Sequence, residues 1–424
     1  MKKWGLVTAA FLLVLGVLGL GSCSSTKDET LTSTLGGRED DRAFAVQQTS
    51  DGGYIVAGEK GYTVDKEWNS EENKWDLNVS HTDIWVIKLD SDRDKSWEKS
   101  FGELSLDEEA YSVQQTTDGG FIVAGSCQNG ATFVDNGCVF KLDSAGGLQW
   151  QKSFLLLGND RARSIRQTSD GGFIVAGTAT DYSSTNSDAW VAKLDSAGNT
   201  VWGNLYNGSG DSFDGAYAVR EISGGYIVAG YSFGLAPLDF NAWVFTLDTA
   251  GVQLGNATYD FGGNDGAYDI QPTSDGGFIV AAARYPISCA SGDCREESVT
   301  MIFKLDNSLN KIWEKGLWGK LYARAYSIVQ SSDSGFVAAG YTENDDGANK
   351  DLWVIKLAPD QSTVWEKTFS GLNDDLAWAI AQTFDGGYIV AGETGSYGEG
   401  GFDAWVLKLD ANGECHGDSC PGAK

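Results

Sequence analysis

Six acidic residues recur at near-regular intervals, each two residues before an alanine that begins a predicted strand. They are Asp41, Glu108, Asp160, Asp214, Asp265 and Asp375, and a further copy carries Ala323 instead. Arranged around an axis, such carboxylates could hold a cation or a polar ligand, and a pair at a set separation could cleave a glycosidic bond. The alternative is that each acid caps its own turn, because aspartate binds nearby backbone N–H groups.

Aromatic residues are the second set that could bind a ligand. The longest variable segment, 59–82, contains Tyr62, Trp68, Trp75 and His81. Other variable segments supply further aromatics: Phe133, Tyr182, Phe233, Tyr285, Tyr397 and Phe402. Aromatics beside Asn, Asp and Ser in loops suit binding of a polysaccharide or a protein, and rigid scaffolds commonly carry function on loops. They could instead pack down onto the strands.

Cysteine and histidine usage argues against a metal site. Of seven cysteines, Cys23 stands apart and six form close pairs: Cys127 with Cys138, Cys289 with Cys294, and Cys415 with Cys420. An exported chain meets oxidising conditions, so three local disulfides are expected. Zinc is the rival at the last pair, but the chain has only His81 and His416, and no four-ligand set assembles.

Other catalytic and cofactor signals are weak, and no cofactor is expected. The stretch from Asp90 to Asp94 resembles half of a calcium loop, but it lacks the following glycine and the distal glutamate. Its equivalents at Asp143, Asp195 and Asp410 are plain hairpin turns, which leaves Ca²⁺ only a minor alternative. No credible Ser/His/Asp set exists, so a catalytic residue is not predicted.

The elements that position these residues come from a sevenfold repeat. Copies of Asp-Gly-Gly-aromatic-Ile-Val-Ala-Gly or close variants place their aromatic residue at Tyr54, Phe121, Phe173, Tyr226, Phe278, Phe336 and Tyr388. Each copy predicts four short strands: one before the glycine turn, one after it, one of the type Asp-x-Trp-Val-x-Lys-Leu-Asp, and one of the type Trp-x-Lys-x-Phe. Such small sheets expose apolar surface alone and must stack.

The first strand of each repeat predicts how the sheets stack. One face carries small residues such as Ala45 and Ser112, whereas the other carries large ones such as Tyr217 and Trp378, followed two positions later by Val or Ile. We therefore expect large faces to pack against small faces between neighbouring sheets.

The chain ends distinguish a closed ring from an open solenoid. The seventh copy lacks its fourth strand, and an orphan strand, residues 31–36, precedes the first copy. An open solenoid needs polar caps instead of such a split. The sequence therefore predicts an all-β, seven-bladed β-propeller with four antiparallel strands per blade, spanning residues 29–414 and closed by the N-terminal strand completing the last blade.

The Asp-Gly-Gly-Phe-Ile-Val-Ala-Gly and Lys-Leu-Asp-x-x-Gly-x-x-x-Trp pieces resemble bacterial and archaeal repeat lipoproteins of the β-propeller repeat type. The hairpin is also similar to quinoprotein-like propeller repeats, although this chain has seven copies rather than eight and no adjacent cysteines. The resemblance covers residues 31–410, nearly the whole mature chain, and implies the fold. It implies little about function, because the shared residues are structural.

The N-terminus predicts export and a lipid anchor. Lys2 and Lys3 precede an apolar run, and Leu20-Gly21-Ser22-Cys23 resembles a lipobox. This resemblance implies a signal peptide over 1–22, a lipidated, palmitate-bearing Cys23 and a polar tether over 23–28, with a cysteine-containing tail over 415–424. Ser24, rather than aspartate, favours the outer membrane or cell surface in Gram-negative bacteria.

Charge completes the functional prediction. The formal net charge of −28 repels nucleic acid and anionic lipid heads, so neither is an expected partner. The chain is predicted to be a lipid-anchored binding or scaffold module for protein or polysaccharide at the cell envelope. Trp68, Trp75 and Tyr62, with the recurrent acids, are its candidate binding residues. A polysaccharide-cleaving enzyme that uses channel-mouth carboxylates and an envelope assembly scaffold are the alternatives.

Overall fold

A computed structural model describes residues 34–415 except 65–67, 70–73, 76–78, 103–105, 129, 131–133, 184–185, 209–212, 235–238, 286–298, 318–321 and 344–348. All the regular elements in this part of the chain are β-strands. Seven four-stranded antiparallel sheets form the blades of a propeller. The all-β, seven-bladed prediction is therefore confirmed. The signal segment, Cys23 and the end of the tail lie outside the described residues.

The strands of each blade follow in chain order from the channel outward. Blade 1 contains Asp41–Gln48, Tyr54–Val64, Val79–Leu89 and Lys95–Phe101. Blade 2 contains Glu108–Gln115, Phe121–Gln128, Asp135–Leu142 and Leu148–Phe154. Blade 3 contains Gly158–Gln167, Phe173–Asp181, Ser187–Leu194 and Thr200–Tyr206. Blade 4 contains Asp214–Ile222, Gly225–Phe233, Phe240–Asp248 and Gln253–Tyr259.

The remaining blades follow the same order. Blade 5 contains Asn264–Pro272, Phe278–Tyr285, Val299–Leu305 and Lys311–Leu317. Blade 6 contains Ala323–Gln330, Phe336–Glu343, Lys350–Leu357 and Thr363–Phe369. Blade 7 contains Asp375–Gln382, Tyr388–Thr394 and Asp403–Leu409, completed by Thr34–Leu35. A separate two-stranded hairpin pairs Trp68–Asn69 with Lys74–Trp75.

The glycine turn between the first and second strands explains the repeated motif. In blade 3, Asp170 Oδ1 accepts hydrogen bonds from Thr168 Oγ1 at 2.5 Å and from the Gly172 N–H at 2.9 Å. Gly171 has a φ of 83°, a conformation that favours glycine. Lys193 of the third strand lies 3.0 Å from Asp170 Oδ2. The motif therefore fixes a turn and pairs it with a lysine.

Blade 4 shows that this aspartate and lysine belong together. The equivalent ion pair recurs in the other blades as Lys88–Asp51, Lys141–Asp118, Lys304–Asp275, Lys356–Asp333 and Lys408–Asp385. In blade 4 the lysine position holds Thr246, and the turn, built on Ser223 and Gly224, has no aspartate. Both partners are replaced together, so neither charge is left without the other.

Aromatic contacts hold neighbouring blades together near the glycine turns. The tryptophan of a fourth strand packs against the aromatic residue that follows the next blade's glycine turn. Trp97 lies 5.6 Å from Phe121, and Trp150 lies 5.8 Å from Phe173, both nearly edge to face. Third-strand tryptophans such as Trp190 and Trp243 are fully buried. The apolar core is thus distributed over the interfaces between blades.

Ring closure follows the prediction. Thr34 pairs with Trp405 and Leu35 pairs with Ala404 in the last blade. Gln48 of blade 1 also accepts the Phe384 N–H of blade 7 at 2.7 Å. The N-terminal strand therefore completes the seventh sheet, and no open end separates the first and last blades. This closure removes the exposed sheet edges that an open stack would have.

The packing prediction for the first strands is wrong in one respect. Every first strand contains a register shift, which falls at Phe44, Tyr111, Arg163, Tyr217, Tyr268, Tyr326 and Trp378. A bulge inserts one extra residue and breaks the alternation of the strand. These large side chains therefore line the central channel instead of filling the space between blades. The Val or Ile two positions later, such as Val46 and Val113, does pack between blades.

One predicted disulfide is confirmed. Cys127 and Cys138 are bonded across the second and third strands of blade 2. Cys415 is also disulfide-bonded, but its predicted partner Cys420 lies outside the described residues, as does the Cys289/Cys294 pair. Those two pairings stay predictions. Among the described residues no helix is long and apolar enough to cross a membrane.

Candidate functional site

A collar of seven bulge residues divides the central channel. It consists of Phe44, Tyr111, Arg163, Tyr217, Tyr268, Tyr326 and Trp378, one from each blade. Ring centroids lie 5.6 Å apart for Phe44 and Trp378, 4.4 Å for Tyr326 and Trp378, and 5.1 Å for Tyr217 and Tyr268. The Arg163 guanidinium lies 4.1 Å from the Tyr111 ring centre. The collar separates a loop side, near the start of the first strands, from a turn side, near the glycine turns.

The recurrent acids lie on the loop side, at the start of the first strands, and are buried. Asp41 accepts the N–H groups of Gly37 at 2.7 Å and Gly61 at 3.0 Å. Asp160 accepts the Leu156 N–H at 2.5 Å, and Asp375 accepts the Gly371 N–H at 2.9 Å. Asp214 and Asp265 make the same kind of bond. These five carboxylates therefore cap the loops between blades, as the turn-capping interpretation expects.

Burial raises the pKa of five of these acids. It raises the pKa of Asp41, Asp160, Asp214 and Asp375 against the lowering effect of their hydrogen bonds. It raises the pKa of Asp265 to about 7, with Asp260 and Asp239 adding to the rise. None of the six predicted acids lines the channel beside the collar, whereas Asp265 lines a cleft and Glu108 lines a separate surface depression. A binding role for them stays a prediction.

The cleft lies on the loop side between blades 4 and 5 and has a volume of about 250 Å³. Its aromatic lining consists of Phe213, Tyr217, Tyr231, Phe240, Tyr268 and Tyr285. Tyr217 and Tyr268 stack with an interplanar angle of 28°, and Tyr231 lies 5.3 Å from Tyr217. Asn264 and Asp265 supply polar groups at its wall. This combination of aromatic walls and a few polar groups is typical of a ligand site.

Two glycines create the cleft. The residue two positions before each bulge is Arg42, Glu109, Arg161, Arg324 or Leu376 in blades 1, 2, 3, 6 and 7, but Gly215 and Gly266 in blades 4 and 5. A β-carbon at Gly215 would meet Tyr231 at 2.7 Å, so this glycine admits the Tyr231 ring. A β-carbon at Gly266 would have no neighbour closer than 3.8 Å, so this glycine leaves open space.

Arginine fills the equivalent position in blade 6. The Arg324 guanidinium lies 4.3 Å from the Tyr285 ring centre and donates to Tyr326 OH at 2.9 Å. Such cation–π contacts are attractive because the ring face is electron-rich. Asp265 Oδ1 is buried with no hydrogen-bond partner among the described residues. The cleft in blade 5 therefore presents aromatic faces and a carboxylate oxygen at the position where blade 6 has the guanidinium of Arg324.

A second loop-side cluster lies at the junction of blades 7 and 1. Arg42 forms ion pairs with Glu59 and, at 2.7 Å, with Glu393. Both glutamates are buried. Burial and the nearby Glu109 raise the pKa of Glu59 to about 7, although Arg42 opposes this. A carboxyl that titrates near neutrality could act as a general acid, and a buried Arg–Glu network could equally be structural.

The aromatic residues predicted from the variable loops have different locations. Tyr62 stacks on His81 at 5.5 Å and bonds Ser100 Oγ at 3.0 Å, so both pack on blade 1. Tyr285 lines the cleft, and Tyr182 is exposed. Three others pack onto the blades: Phe233 against Phe240, Tyr397 against Trp405, and Phe402 beneath Arg42. Phe133 and the side chains of Trp68 and Trp75 lie outside the described part, and their binding role stays a prediction.

The hairpin aspartates show no metal-like arrangement. Asp90 Oδ1 accepts the N–H groups of Asp92 and Asp94, both at 2.9 Å, which is the geometry of a side-chain-capped turn. Asp143 caps the equivalent hairpin of blade 2. In the described ranges, no group of three or more His, Cys, Asp or Glu side chains could hold a metal ion.

Comparisons with known proteins show the fold alone. No protein-family model matches the sequence, and no curated protein matches it. Among solved structures, puromycin hydrolase, as the S511A mutant complexed with PGG, matches with a TM-score of 0.51 and 10% identity over 92% of this chain and 54% of that chain. This chain thus spans about half the length of that protein.

Two other similar structures cover most of both chains. The β-propeller domain of the Trilobed protease from Pyrococcus furiosus matches with a TM-score of 0.47 and 10% identity, over 87% of this chain and 93% of that chain. Sqt1 from Chaetomium thermophilum matches with a TM-score of 0.47 and 11% identity, over 92% and 87%. At such identities the likeness carries no activity or partner to this chain.

Proposed function

We propose that this chain is a binding module that holds a protein partner at its loop side, and that the partner inserts a basic side chain into the cleft between blades 4 and 5. The observation that carries the proposal is the aromatic cleft at Gly266, where blade 6 has Arg324. A partner's guanidinium would occupy the space that Gly266 leaves. It would face the Tyr217 and Tyr268 rings and approach Asp265 Oδ1.

Charge supports a basic partner. The formal net charge of −28 attracts cationic proteins and accelerates their encounter with the surface. Buried aromatic and arginine contacts are also the usual centres of binding energy at interfaces. The cleft has room for one side chain rather than a folded segment, so the remaining contacts belong to the surrounding loops. Trp68, Trp75 and Tyr62 are candidates for those contacts.

The proposal is tested with a variant whose own side chain fills the cleft. Gly266→Arg places in blade 5 the side chain that blade 6 already carries, at a position where a β-carbon meets no close neighbour. Binding of an oligo-arginine peptide, measured by fluorescence anisotropy, should weaken at least about tenfold, since a desolvated cation–π site contributes on the order of 2 kcal/mol. The melting temperature should stay within a few degrees of the wild-type value.

Gly203→Arg is the matched control. Gly203 lies on the exposed outer strand of blade 3, where a β-carbon has only ordinary contacts. The control adds the same charge, so it measures the general electrostatic effect. Equal peptide binding by both variants and the wild type would reject the cleft as the site. A glycan library run in parallel separates the alternatives: binding of a polysaccharide that Gly266→Arg abolishes would replace the basic protein as the partner.

A polysaccharide-cleaving activity is the second candidate, and the pKa of Glu59 favours it. Glu59 and Glu393 are two carboxyls on the loop side, and burial raises the pKa of Glu59 to about 7. Glu59→Gln should abolish release of reducing sugars from a polysaccharide panel if Glu59 is the general acid. Wild-type protein that releases no sugar from any of these substrates would argue against this activity and leave the cluster as a structural network.

The cellular location is part of the proposal and rests on the N-terminal sequence. A lipidated Cys23 would anchor the module at the envelope, in the outer membrane or at the cell surface, where it could also act as an assembly scaffold. Cys23→Ser should move the exported protein from the membrane fraction to the soluble fraction. Full retention of the variant in the membrane fraction would reject the lipid anchor.

A further inference from the structure

The turn side of the collar contains a polar chamber that the proposed loop-side function does not use. The chamber has a volume of about 300 Å³ and extends from the collar to the ends of the first strands. Blades 3 and 4 contribute Arg166 and Arg220, and blades 2 and 5 contribute Gln114 and Gln271. The equivalent residues of blades 6 and 7 are Val329 and Ala381. One wall is therefore rich in donors, whereas the opposite wall is apolar.

The two arginines differ in how their charge is balanced. Arg220 Nη2 donates to Asp269 Oδ1 at 2.7 Å, and Arg220 Nε donates to Gln271 Oε1 at 3.0 Å. Asp269 also accepts the Ile328 N–H at 3.0 Å, so this aspartate is fully engaged. Arg220 and Asp269 therefore form a closed, neutral pair.

Arg166 has no such partner. Its Nη1 donates to Ser112 Oγ at 2.8 Å and to the Ile165 carbonyl at 2.6 Å, both uncharged acceptors. Among the described residues no carboxylate lies within salt-bridge distance of it. By contrast, the six third-strand lysines, of which all but Lys408 are buried, each contact an aspartate. Burial, with the nearby Arg220, lowers the pKa of Arg166 to about 9. No carboxylate contacts Arg166 directly, and the nearby Asp269, whose charge acts against this lowering, is already paired with Arg220.

From this arrangement we infer that the turn-side chamber binds a small oxyanion, a phosphate or carboxylate group, on the Arg166 guanidinium. A guanidinium matches both groups because its N–H fork donates two parallel bonds to two oxygens. Gln114 adds a side-chain amide to the chamber wall beside Arg166, whereas the Gln271 amide is already bonded to Arg220 and Asp269. The collar aromatics close the chamber on the loop side and exclude larger ligands from that direction.

The channel carries more positive than negative side chains, in contrast to the acidic protein as a whole. Arg163, Arg166 and Arg220 face one carboxylate, Asp269, around the channel, although the protein carries a formal net charge of −28. The acidic exterior repels anions, so an anion that binds must be held by local contacts rather than by the general field. Binding should therefore be specific to the chamber.

The experiment measures binding of inorganic phosphate and, in a separate arm, of malonate by isothermal titration calorimetry at pH 7. Wild-type protein should bind at least one of them with saturation at one site. Arg166→Gln should weaken that affinity at least about tenfold, because a charge-assisted hydrogen bond is lost. Arg166→Lys keeps the charge but not the fork, so its affinity should lie between the two. Preference between phosphate and malonate identifies the class of oxyanion.

Arg161→Gln is the control, since Arg161 lies on the loop side, is substantially exposed, and pairs with Asp135 at 3.0 Å. It removes the same charge from the protein and should leave anion affinity unchanged. Arg220 is unsuitable as a control because its removal would leave Asp269 buried without its cation. Absence of saturable binding to the wild type, or equal affinity for wild type and Arg166→Gln, would overturn the inference. If Arg166→Gln does not fold, the Arg166→Lys variant decides the question.

Discussion

In blades 1, 3, 5 and 7 the two ends carry aspartates whose pKa values are shifted in opposite directions. In blade 3, Asp160 on the loop side is fully buried, and burial raises its pKa against four backbone hydrogen bonds. Asp170, at the glycine turn of the same blade, is exposed. Its hydrogen bond from Thr168, with further contributions from the Gly172 N–H and Lys193, lowers its pKa to about 2. One residue type thus serves two roles in one repeat.

The recurrence of a motif therefore does not reveal its chemistry. Both aspartates recur because both hold a turn, and both accept backbone N–H groups. The turn-side carboxylate has solvent and a lysine, which favour its charge. The Asp160 carboxylate accepts backbone N–H groups, which favour its charged form, but the opposing effect of burial is larger. The pKa values of the two aspartates therefore differ because of their surroundings, and not because of their spacing in the sequence.

Opening the ring should have the largest effect on stability, because both ends of the blades are held in place by the closed ring. Deleting residues 24–36 removes Thr34–Leu35 and leaves blade 7 with three strands. The melting temperature should fall by about 10 °C or more and the protein should aggregate through the exposed edge. Deleting only 24–28 is the control, since it spares the strand. An unchanged melting temperature in the longer deletion would contradict the closure.

The pH dependence of stability should separate the two ends. Burial raises the pKa of Asp265 to about 7 and of Asp403 to about 6, so the folded chain holds protons that the unfolded chain releases near pH 4. The free energy of unfolding should therefore decrease as pH rises from about 4 to about 7. The turn aspartates, with pKa values of about 2, stabilise the fold above pH 4 and lose this effect as pH falls towards 2.

Maximum stability is therefore expected near pH 4 to 5. Denaturant unfolding between pH 3 and pH 8 measures it, and Asp265→Asn should flatten the upper part of the curve. The flattening should be on the order of 4 kcal/mol, because the pKa of Asp265 rises from about 4 to about 7 on folding and each pKa unit corresponds to about 1.4 kcal/mol. A wild-type protein that is most stable at pH 7 or above would contradict the raised loop-side pKa values.

Substitutions within blade 3 should give the smallest effects and compare the two ends directly. Asp160→Ala leaves the buried Leu156 N–H without its acceptor and should cost about 2 kcal/mol. Asp170→Ala removes an exposed partner of Lys193 and should cost about 1 kcal/mol. Asp160→Asn should be nearly neutral at pH 7, since its amide oxygen still accepts the N–H. Equal costs for the two alanine variants, measured by urea unfolding, would remove the distinction.

Blade 4 suggests a double variant that tests the pairing of the turn aspartate with its lysine. It has Thr246 in place of the lysine and no aspartate in its turn. Adding Lys193→Thr to Asp170→Ala should therefore recover part of the lost stability, because the buried ammonium that lacks its partner is removed as well. No recovery in the double variant would show that the aspartate acts mainly through its hydrogen bonds to the turn.

The blades were predictable from the amino-acid sequence. The sevenfold glycine turn, the alternation within strands and the split last repeat predicted the number of sheets, their strand order and the closing strand, because each depends on local periodicity and chain connectivity. The Cys127–Cys138 bond was also predictable, since the two residues are close in the chain and lie on adjacent strands. The turn-capping role of the acids was among the alternatives that the sequence allowed.

The residues that face the channel were not predictable from the sequence, because they depend on how the strands bulge in the folded protein. A one-residue bulge in each first strand turned Tyr217, Tyr268 and Trp378 from the blade interface to the axis. No single repeat shows the cleft or the chamber, because both are made by side chains from several blades. In its own strand Gly266 looks like any other glycine. It lines a cleft only because Tyr217 of the neighbouring blade lies next to it. Periodicity fixes what repeats, whereas binding surfaces arise where the repeats differ and closure brings those differences together.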